Sequence, residues 1–400
     1  MAQKSIAPAE ESPVKIGFDL SQTGSLRAGC GFYADTLMRS LVAHHPTDEF
    51  LLYKTFGTTY WDPDYQDRIQ MLEADHCQYL AEFGQLAEAR AFWGHPSGVD
   101  EAKIGCPDIV HANNFSSPRF ARARLVYTVY DLSFIDLPEC TTEANRQVCF
   151  NGMLEASLWA DLVVAISSYS RQRFLEVFPH FPADRAVVAH LGNRLAVDGA
   201  LEAVADLDQR PFLLAVGTLE PRKNLRRLLK AYQRYSQRMA DPKPLALAGG
   251  KGWLEGDLKA YIEALGIQDH VYVLGYVSDA ALRWLYQHCW AFIYPSRYEG
   301  FGLPVLEAMS AGAATITSRV TSLPEVGGEA ALYVDPMDED SILAALLNLE
   351  GHEDYRQDLR RQCLAQAQRF SWENTAQAVY QAYQTVLDLP PRPRPAAVRA

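Results

Sequence analysis

AFIYPSRYEGFGLPVLEA, residues 291–308, combines an apolar strand, a glycine turn and the start of a helix. The apolar run at its beginning has the length and composition of a buried strand. Pro304 stands near the first turn of the helix, where its missing N–H removes no hydrogen bond. The turn around Gly300 and Gly302 exposes backbone N–H groups at a helix N-terminus, which suits phosphate or sugar oxygens. This stretch therefore predicts one parallel β/α unit with a ligand site at its strand end.

The same order of strand and helix repeats on both sides of this stretch. In the second half the predicted strands are PFLLAVGTL, PLALAGG, VYVLGYV, AFIYPS, ATITS and ALYVDP. One predicted helix of this half begins at Asn224, and three others cover residues 255–264, 279–288 and 304–311. In the first half the predicted strands are VKIGFD, FLLY, PDIVHA, LVYTVYDL, ADLVVAIS and AVVAHL, with helices over 32–43, near 141–159 and from Ser168. The pattern predicts an α/β protein with two doubly wound, Rossmann-like lobes.

Length and composition agree with two domains. Four hundred residues exceed what one compact core usually holds, and 48% hydrophobic residues can fill two cores. The acidic segment of small residues at 196–209 is the expected linker between them. We expect the polar leader 1–13 to be loose and the proline-rich tail 389–400 to be disordered.

Charge and cysteine usage exclude several classes of protein. The net charge of −12 argues against a nucleic-acid binder, which needs an excess of Lys and Arg to meet phosphates. Residues 1–200 carry −9 and residues 201–400 only −3, so a phosphate site is expected in the second half. Seven scattered cysteines without a C-x-x-C pair suggest neither a disulfide framework nor a zinc site, and they fit a reducing cytosol. We expect neither a signal peptide nor a membrane span.

Two loops carry the chemistry of the second half. Glu299 and Glu307 flank the glycine turn, and paired carboxylates accept hydrogen bonds from the diols of ribose or hexose. Arg222 and Lys223 stand at the start of another helix, where cations oppose the helix dipole, and a bound diphosphate would explain them. The alternatives are a tight turn with two solvated glutamates and a solvated basic turn. Two such loops at strand ends in one lobe favour a ligand crevice.

Beyond these loops, whole segments resemble the large family-4 glycosyltransferases, which are retaining, nucleotide-sugar-dependent enzymes of the GT-B fold. In the second half the similar segments are GTLEPRKNLRRLLKAY, LALAGGKGW, VYVLGYVSDAALRWLY and the stretch from AFIYPS to ALYVDP. In the first half they are the glycine loop near 29–31, PDIVHANNF, DLSFIDLPE and ADLVVAISSYSR. The resemblance implies two lobes facing a cleft, with an acceptor-side domain at 14–196 and a nucleotide-sugar-binding domain at 208–370. It also implies a closing helix at 371–388 that returns to the N-terminal lobe.

The resemblance also implies roles for single residues. Glu299 and Glu307 match the family's E-x7-E motif, so Glu299 would contact the hydroxyls of the donor sugar and Glu307 the ribose. The implied catalytic set is Glu299, Arg222, Lys223, Tyr130 and Asp131. The implied donor-binding set is Gly31, Gly217, Thr218, Arg222, Lys223, Tyr276, Val277, Glu299, Gly300, Phe301, Gly302, Leu303 and Glu307.

Two positions depart from the family pattern. Thr218 stands where many relatives have Arg, and Arg222 is the expected replacement for that charge. Tyr130-Asp131 stands where many relatives have His-Asp, which puts the usual contact of that His with the donor sugar in doubt. Tyr130 either donates a hydrogen bond to a sugar hydroxyl or is a core aromatic residue at a strand end, and it cannot act as a base at neutral pH.

The resemblance implies that the protein transfers a hexose, with retention of configuration, to a saccharide or lipid-linked oligosaccharide in surface polysaccharide synthesis. The favoured hexose is mannose, with GDP-mannose as the donor. We expect neither a cofactor nor a metal, and no nucleic-acid partner. We also expect a cytoplasmic enzyme, for which peripheral contact with the inner face of the membrane stays open. The alternatives are a UDP-sugar-dependent transferase, a nucleotide-sugar epimerase of the same fold and a non-catalytic nucleotide-sugar sensor. A dinucleotide-dependent oxidoreductase does not fit, because the loop GSLRAGCGF has the wrong spacing.

Overall fold

Two parallel β-sheets organise the protein. The computed structural model describes residues 13–24, 29–58, 72–195, 198–250, 252 and 257–394. The first sheet contains β1 (Lys15–Asp19), β2 (Glu49–Tyr53), β3 (Cys77–Tyr79), β4 (Ile109–Ala112), β5 (Arg124–Val129), β6 (Leu162–Ala165) and β7 (Ala186–Val188). The second contains β8 (Leu213–Val216), β9 (Leu245–Ala248), β10 (Val271–Gly275), β11 (Ala291–Tyr294), β12 (Thr315–Ser318) and β13 (Leu332–Val334).

Helices alternate with these strands. Those that accompany the first sheet are α1 (Gly29–His44), α2 (Leu86–Trp93), α3 (Ser133–Asp136), α4 (Glu143–Trp159) and α5 (Ser168–Val177). Those that follow the first strand of the second sheet are α6 (Leu225–Ser236), α7 (Leu258–Ala264), α8 (Asp279–His288), α9 (Leu303–Ser310), α10 (Leu323–Gly327), α11 (Glu339–Gly351), α12 (Glu353–Ala367) and α13 (Trp372–Asp388).

The first six strands of the first sheet have the same order as the six strands of the second sheet. This order confirms the prediction of two doubly wound, Rossmann-like folds. The orders are β3-β2-β1-β4-β5-β6-β7 and β10-β9-β8-β11-β12-β13. In each sheet the first strand lies between the second and the fourth, so the winding reverses beside β1 and beside β8. Ligands of open α/β sheets bind at the carboxyl ends of the strands at this reversal. The fold therefore provides two such edges, one between β1 and β4 and one between β8 and β11.

The chain divides into two compact units. Unit 1 comprises Met1–Thr128, Leu158–Leu162 and Tyr380–Ala400, and unit 2 comprises Val129–Ser157 and Val163–Val379. This division does not coincide with the expected domains at 14–196 and 208–370, which stay a prediction. The described part of the expected linker, residues 198–209, contains neither helix nor strand.

The last helix belongs to both units, because α13 begins in unit 2 and its residues from Tyr380 onward belong to unit 1. Within unit 1, the Tyr383 hydroxyl hydrogen-bonds Nδ1 of His111 on β4 at 2.6 Å. Tyr380 donates to Asp48 Oδ2 at 2.7 Å. The predicted return of the C-terminal helix to the N-terminal fold is thereby confirmed.

The residues after α13 differ in part from the expected disordered tail. The Arg392 amide donates to Asp161 Oδ1 at 3.1 Å, and Arg394 Nη2 donates to Asp161 Oδ2 at 3.1 Å. Asp161 is fully buried, so the Arg394 guanidinium helps to neutralise a carboxylate that has lost its hydration, while Arg392 contributes a backbone hydrogen bond. The tail is therefore ordered as far as Arg394. Residues 395–400, like 1–12 of the leader, lie outside the described residues.

Candidate active site

The predicted basic pair follows β8, the central strand of the second sheet. Gly217, with φ of +144°, turns the chain at the end of β8, and Pro221–Lys223 form a single 3₁₀ turn. Asn224, with φ of +63°, precedes α6, and its side-chain Nδ2 donates to the carbonyl oxygen of Pro295 at 3.0 Å. The loop after β8 is thereby fastened to the loop after β11, which carries Glu299.

Glu299 is the centre of a buried hydrogen-bond cluster. Its Oε1 accepts from Lys223 Nζ at 2.8 Å, from the Tyr294 hydroxyl at 2.8 Å and from Ser296 Oγ at 2.7 Å. Its Oε2 accepts from Arg222 Nη1 at 2.8 Å. Only 5% of Glu299 is exposed. The cluster excludes the reading of Glu299 as a solvated glutamate in a tight turn.

The cations of the cluster are paired as well. Arg222 Nε lies 2.7 Å from Glu220 Oε1, while Lys223 Nζ lies 3.8 Å from the same oxygen. Lys223 is 8% exposed, so the loop is not a solvated basic turn. The cluster pairs two cations, Arg222 and Lys223, with two carboxylates, Glu220 and Glu299, so their formal charges cancel. A diphosphate arriving here adds negative charge to a balanced cluster.

Burial and pairing act in opposite directions on these groups. Burial alone would raise the pKa of Glu299, but Arg222 and Lys223 lower it to about 2. Burial, reinforced by the neighbouring Arg222, lowers the pKa of Lys223 although Glu299 opposes the shift. The pKa of Arg222 is raised, because Glu299, Glu220 and Asp131 outweigh its burial. Glu299 is therefore ionised at neutral pH and acts as a hydrogen-bond acceptor.

Glu307 lies on α9 and has partners of its own. Its Oε1 accepts from Arg194 Nε at 2.9 Å, and its Oε2 accepts from the Tyr286 hydroxyl at 3.0 Å. Arg194 Nη1 also donates to Asp279 Oδ1 at 3.0 Å. Burial raises the pKa of Glu307 even though Arg194 and Tyr286 pull it down. Glu307 is thus a positioned buried carboxylate, not a solvated one.

The glycine turn lies against Tyr130. A Cβ atom at Gly300 would overlap the carbonyl oxygen of Tyr130, so only glycine permits this approach. Gly302, with φ of +107°, precedes α9, which begins at Leu303. Amides in the first turn of a helix have no acceptor within the helix, so they can meet an oxyanion. The turn thus combines a close approach to the Tyr130 backbone with the N-terminus of α9.

Tyr130 and Asp131 follow β5 and reach this turn from the first sheet. The carbonyl oxygen of Tyr130 accepts from Ser170 Oγ at 2.8 Å. Asp131 Oδ1 accepts from the amide of Ser133 at 2.9 Å and from its hydroxyl at 2.7 Å, which fixes the start of α3. The structure therefore brings the Tyr130-Asp131 pair beside Gly300. The role of Tyr130 stays a prediction.

The other predicted donor-binding residues lie at neighbouring strand ends, with one exception. Tyr276 follows β10 and is 80% exposed, Val277 beside it is partly exposed, and Thr218 is exposed after β8. Phe301 is buried, with its ring centre 5.8 Å from that of Phe370. Gly31 lies buried in α1 of unit 1, so its predicted closure over the phosphates stays a prediction.

Five further residues of the site have no sequence signal of their own. They are Arg194, Glu220, Tyr286, Tyr294 and Ser296. Tyr294 and Ser296 belong to AFIYPS, whose apolar character indicates a strand and hides the two hydroxyls. Arg194 is separated from Glu307 by more than a hundred residues, so local spacing does not predict their contact.

The described ranges contain neither a membrane-spanning helix nor a metal-binding group of side chains. No described helix is both long and apolar enough to cross a membrane. Within the same ranges, no three His, Cys, Asp or Glu side chains are grouped so that they could hold a metal ion.

Residues 188–366 match the family model described as "Glycosyl transferases group 1". The chain is 34% identical over 369 residues to an O-antigen chain mannosyltransferase B of Escherichia coli, a match that covers 89% of this chain and 95% of that protein. The matched residues include β8 to α11 and with them the whole cluster around Glu299.

Solved structures share the fold at low sequence identity. A sucrose-phosphate synthase from Thermosynechococcus elongatus superimposes with a TM-score of 0.70 at 20% identity, over 93% of this chain and 99% of that one. The Anabaena protein HepE, solved in complex with UDP and glucose, gives a TM-score of 0.67 at 18% identity, over 93% and 100% of the two chains.

Proposed function

Because this chain belongs to the group 1 glycosyltransferases, we propose that it transfers mannose from GDP-mannose to a saccharide acceptor with retention of anomeric configuration. The family match and the similarity to an O-antigen mannosyltransferase already show that the protein is a hexosyltransferase of polysaccharide synthesis. The observation that carries the finer proposal is the cluster of Arg222, Lys223 and Glu299 at the carboxyl ends of β8 and β11. It supports binding of a sugar diphosphate at the reversal point of the second sheet.

The diphosphate is the leaving group, so the reaction depends on stabilising the negative charge that grows on it. Lys223 Nζ donates to Glu299 Oε1 and to the Tyr294 hydroxyl, at 2.8 and 2.5 Å. An ammonium group has three protons, so one is left for a phosphate oxygen. Arg222 and the first amides of α9 supply further donors. A phosphate also opposes the lowering of the Lys223 pKa and keeps this group charged during the reaction.

Glu299 has one oxygen in position to accept a hydroxyl of the donor sugar. Its Oε1 already accepts three hydrogen bonds, whereas Oε2 accepts one bond, from Arg222. A carboxylate oxygen offers about two lone pairs, so Oε2 has room for one sugar hydroxyl. The four bonds that hold the carboxylate fix where that hydroxyl must lie. Glu307 is proposed to accept the ribose hydroxyls in the same way.

Retention is proposed to follow from front-face substitution. The departing phosphate takes the proton of the acceptor hydroxyl as that oxygen bonds to the anomeric carbon, so no protein nucleophile is used. Proton and leaving group both end on the diphosphate side, where Arg222 and Lys223 stand. We propose that the reaction needs no metal and no cofactor, because hydrogen bonds from Arg222, Lys223 and the first amides of α9 stabilise the leaving diphosphate, although Glu220 and Glu299 balance the formal charge of the two cations.

Mannose is proposed because the similar protein of Escherichia coli is a mannosyltransferase. Guanosine is proposed because the family resemblance favours GDP-mannose as the donor. The HepE complex contains UDP, so a UDP-sugar remains the second candidate donor. An epimerase of the same fold would release free sugar, and a sensor would bind nucleotide without turnover. The cytoplasm is the proposed location.

The basic residues Arg119, Arg122 and Arg124 are the candidates for peripheral membrane contact. All three are engaged within unit 1, where Arg122 Nε lies 3.8 Å from Glu101 Oε2. Arg119 stacks on Trp159 at 4.5 Å, and Arg124 pairs with the buried Asp161 at 3.6 Å. They therefore do not form a free cationic patch for anionic lipids.

A donor panel tests the proposal. Purified protein is incubated with GDP-mannose, GDP-glucose, UDP-glucose and UDP-galactose, with and without methyl α-mannoside, and nucleotide release is followed. We expect GDP release that is fastest from GDP-mannose, unchanged by EDTA, and an α-linked product by NMR. Release from UDP-sugars alone would replace the donor, free sugar without acceptor dependence would favour the epimerase, and binding without release would favour the sensor.

A further inference from the structure

The segment DLSFIDLPE, residues 131–139, contacts the stretch RYEG, residues 297–300, within unit 2. Asp136 ends the short helix α3, and its Oδ2 accepts from the Tyr298 hydroxyl at 3.0 Å. Tyr298 is only 3% exposed and stands directly before Glu299. Asp136 is not part of the hydrogen-bond cluster around Glu299, so this contact reaches the candidate site from outside the cluster.

Asp136 is itself held in place by Arg173 on α5. Arg173 Nε donates to both carboxylate oxygens of Asp136 at 3.0 Å, and its Nη2 donates to Oδ1 at 2.7 Å. A guanidinium that binds a carboxylate in this forked way fixes the plane of the carboxylate as well as its position. Arg173 in turn donates through Nη1 to Glu176 Oε2 at 3.0 Å, three residues further along α5. The carboxylate of Asp136 is therefore a fixed acceptor for the Tyr298 hydroxyl.

The main chain of Tyr298 connects this anchor to Arg222. The carbonyl oxygen of Tyr298 accepts from Arg222 Nη1 at 3.0 Å, and the same Nη1 donates to Glu299 Oε2 at 2.8 Å. Each Nη nitrogen of a guanidinium carries two protons, so Nη1 can serve both acceptors at once. The position of the Tyr298 carbonyl therefore helps to determine where the Arg222 guanidinium lies beside Glu299.

Three parts of Tyr298 have separate partners. Burial raises the pKa of its hydroxyl above the ordinary value of 10, and the nearby Asp131 and Asp136 reinforce that shift, so the phenol stays protonated and donates. Its ring packs edge-on against Tyr169, with 5.7 Å between the ring centres. Its carbonyl oxygen receives Arg222. Packing of the ring alone would not need the hydroxyl, so removal of the hydroxyl tests the anchor and leaves the ring in place.

We propose that Asp136 is a positioning residue for the donor site, and that it acts through Tyr298 on Arg222. This inference rests on the proposed function, because it takes Arg222 to stabilise the leaving diphosphate. Negative charge on the diphosphate is greatest once the sugar is leaving, so a displaced guanidinium weakens the transition state more than it weakens the bound donor. Loss of the anchor therefore lowers kcat and changes the KM for GDP-mannose little.

Steady-state kinetics of GDP release from GDP-mannose, with methyl α-mannoside as acceptor, test the proposal. Tyr298→Phe removes the hydroxyl and keeps the ring, Asp136→Ala removes the anchor, and a double variant combines the two changes. The matched control is Tyr232→Phe, because Tyr232 is also a buried tyrosine of unit 2. Its hydroxyl donates to the carbonyl oxygen of Lys243 at 2.9 Å, outside the cluster around Glu299.

We expect kcat to fall about tenfold or more in Tyr298→Phe and in Asp136→Ala, while the KM for GDP-mannose stays within about threefold of wild type. Because Asp136 acts through Tyr298, the double variant should lose no more than about twofold beyond the larger single loss. Tyr232→Phe also removes a buried hydrogen bond, but its kcat should stay within about twofold of wild type. Equal kcat in Tyr298→Phe and Tyr232→Phe would overturn the proposal, and so would single losses that multiply in the double variant.

NMR without substrate separates this inference from the proposed function. If the wild type releases no GDP, the proposed function fails, and hydrogen exchange of the Arg222 guanidinium protons, assigned with Arg222→Lys, reports the positioning directly. Exchange that is at least about tenfold faster in Tyr298→Phe than in wild type and Tyr232→Phe supports the anchor, and equal exchange in all three proteins overturns it. If Asp136→Ala does not fold, the comparison of Tyr298→Phe with Tyr232→Phe decides in both experiments.

Discussion

Arg194 Nε donates to Glu307 Oε1 at 2.9 Å, while the same guanidinium donates through Nη1 to Asp279 Oδ1 at 3.0 Å. Arg194 comes from the segment after β7 of the first sheet, whereas Glu307 lies on α9. The carboxylate proposed to bind ribose is therefore oriented by a residue far away in sequence. Arg194 is a positioning residue for Glu307.

Arg194→Met is expected to weaken GDP binding about tenfold or more, because it leaves Glu307 buried without its cation. The pKa of Glu307, already raised by burial, should rise further, so the loss should be larger at pH 6 than at pH 8. Calorimetry with GDP measures this, and Arg194→Lys should restore part of the affinity. The control is Arg234→Met, which breaks the exposed Arg234–Asp340 pair. Equal GDP affinity in Arg194→Met and wild type would contradict the positioning role.

Lys223→Met tests the cluster around Glu299. Removing one partner of a buried ion pair is expected to lower the free energy of unfolding by about 3–5 kcal/mol and to reduce kcat strongly. Lys230→Met is the matched control, because Lys230 pairs with Glu339 at 3.4 Å on the surface and half of its side chain is exposed. That pair should contribute at most about 1 kcal/mol. Urea unfolding and initial rates measure both effects, and equal destabilisation by the two variants would count against the buried cluster.

Gly300→Ala tests the approach of the glycine turn to Tyr130. The added Cβ would overlap the Tyr130 carbonyl oxygen, so the turn must shift and misplace the amides at the start of α9. We expect kcat/KM to fall about a hundredfold, the size expected for misplaced reacting groups. Gly351→Ala is the control, since a Cβ at this position has no neighbour within 4 Å outside its own helix. Full activity of Gly300→Ala would refute the contribution of this approach.

Asp19 gives a pH dependence with a defined sign. Burial raises its pKa to about 7 in the folded protein, above the ordinary 3.8, so the folded state holds the proton more tightly than the unfolded state. The stabilisation is present at low pH and is lost as pH rises from about 4 to 7. Relative to Asp19→Asn, wild type should lose about 2–3 kcal/mol of unfolding free energy between pH 5 and pH 8. Urea titrations at both pH values measure this, and a difference independent of pH would contradict it.

Tyr383→Phe tests the attachment of α13 to unit 1. The Tyr383 hydroxyl hydrogen-bonds Nδ1 of His111, whose Nε2 hydrogen-bonds Thr128 Oγ1 at 2.7 Å. Burial lowers the pKa of His111 to about 3, so the ring is neutral and needs this partner. The variant should lose about 1–3 kcal/mol of stability, because it leaves a buried nitrogen unpaired. Thermal unfolding measures it against Tyr355→Phe, a change at an exposed tyrosine that should have no effect.

The strands and helices with strong apolar patterns were predictable. The helix expected at 279–288 is Asp279–His288, and the helix expected at 304–311 is Leu303–Ser310. The sequence of residues 57–100 has no regular apolar pattern from which a strand or helix could be predicted, and the elements of its described part are short. β3 has three residues of which none is buried, and α2 has eight, too few for either to give a clear period.

The candidate site was predictable only where residues follow a strand end. Arg222, Lys223 and Glu299 come after β8 and β11, and the strand order brings such loops together. Nothing local distinguishes Arg194 or Asp136 from other charged residues. Their importance comes from partners that lie more than a hundred residues away, Glu307 and Tyr298, and single-sequence patterns do not contain that information.

The division of α13 between the two units has a consequence for synthesis of the chain. Unit 1 needs Tyr380 and Tyr383, which are synthesised long after its strands β1–β5. Domains usually fold as they emerge, N-terminal first. Here unit 1 must wait until α13 has been synthesised, so nascent chains should depend on chaperones longer than the position of the first strands suggests.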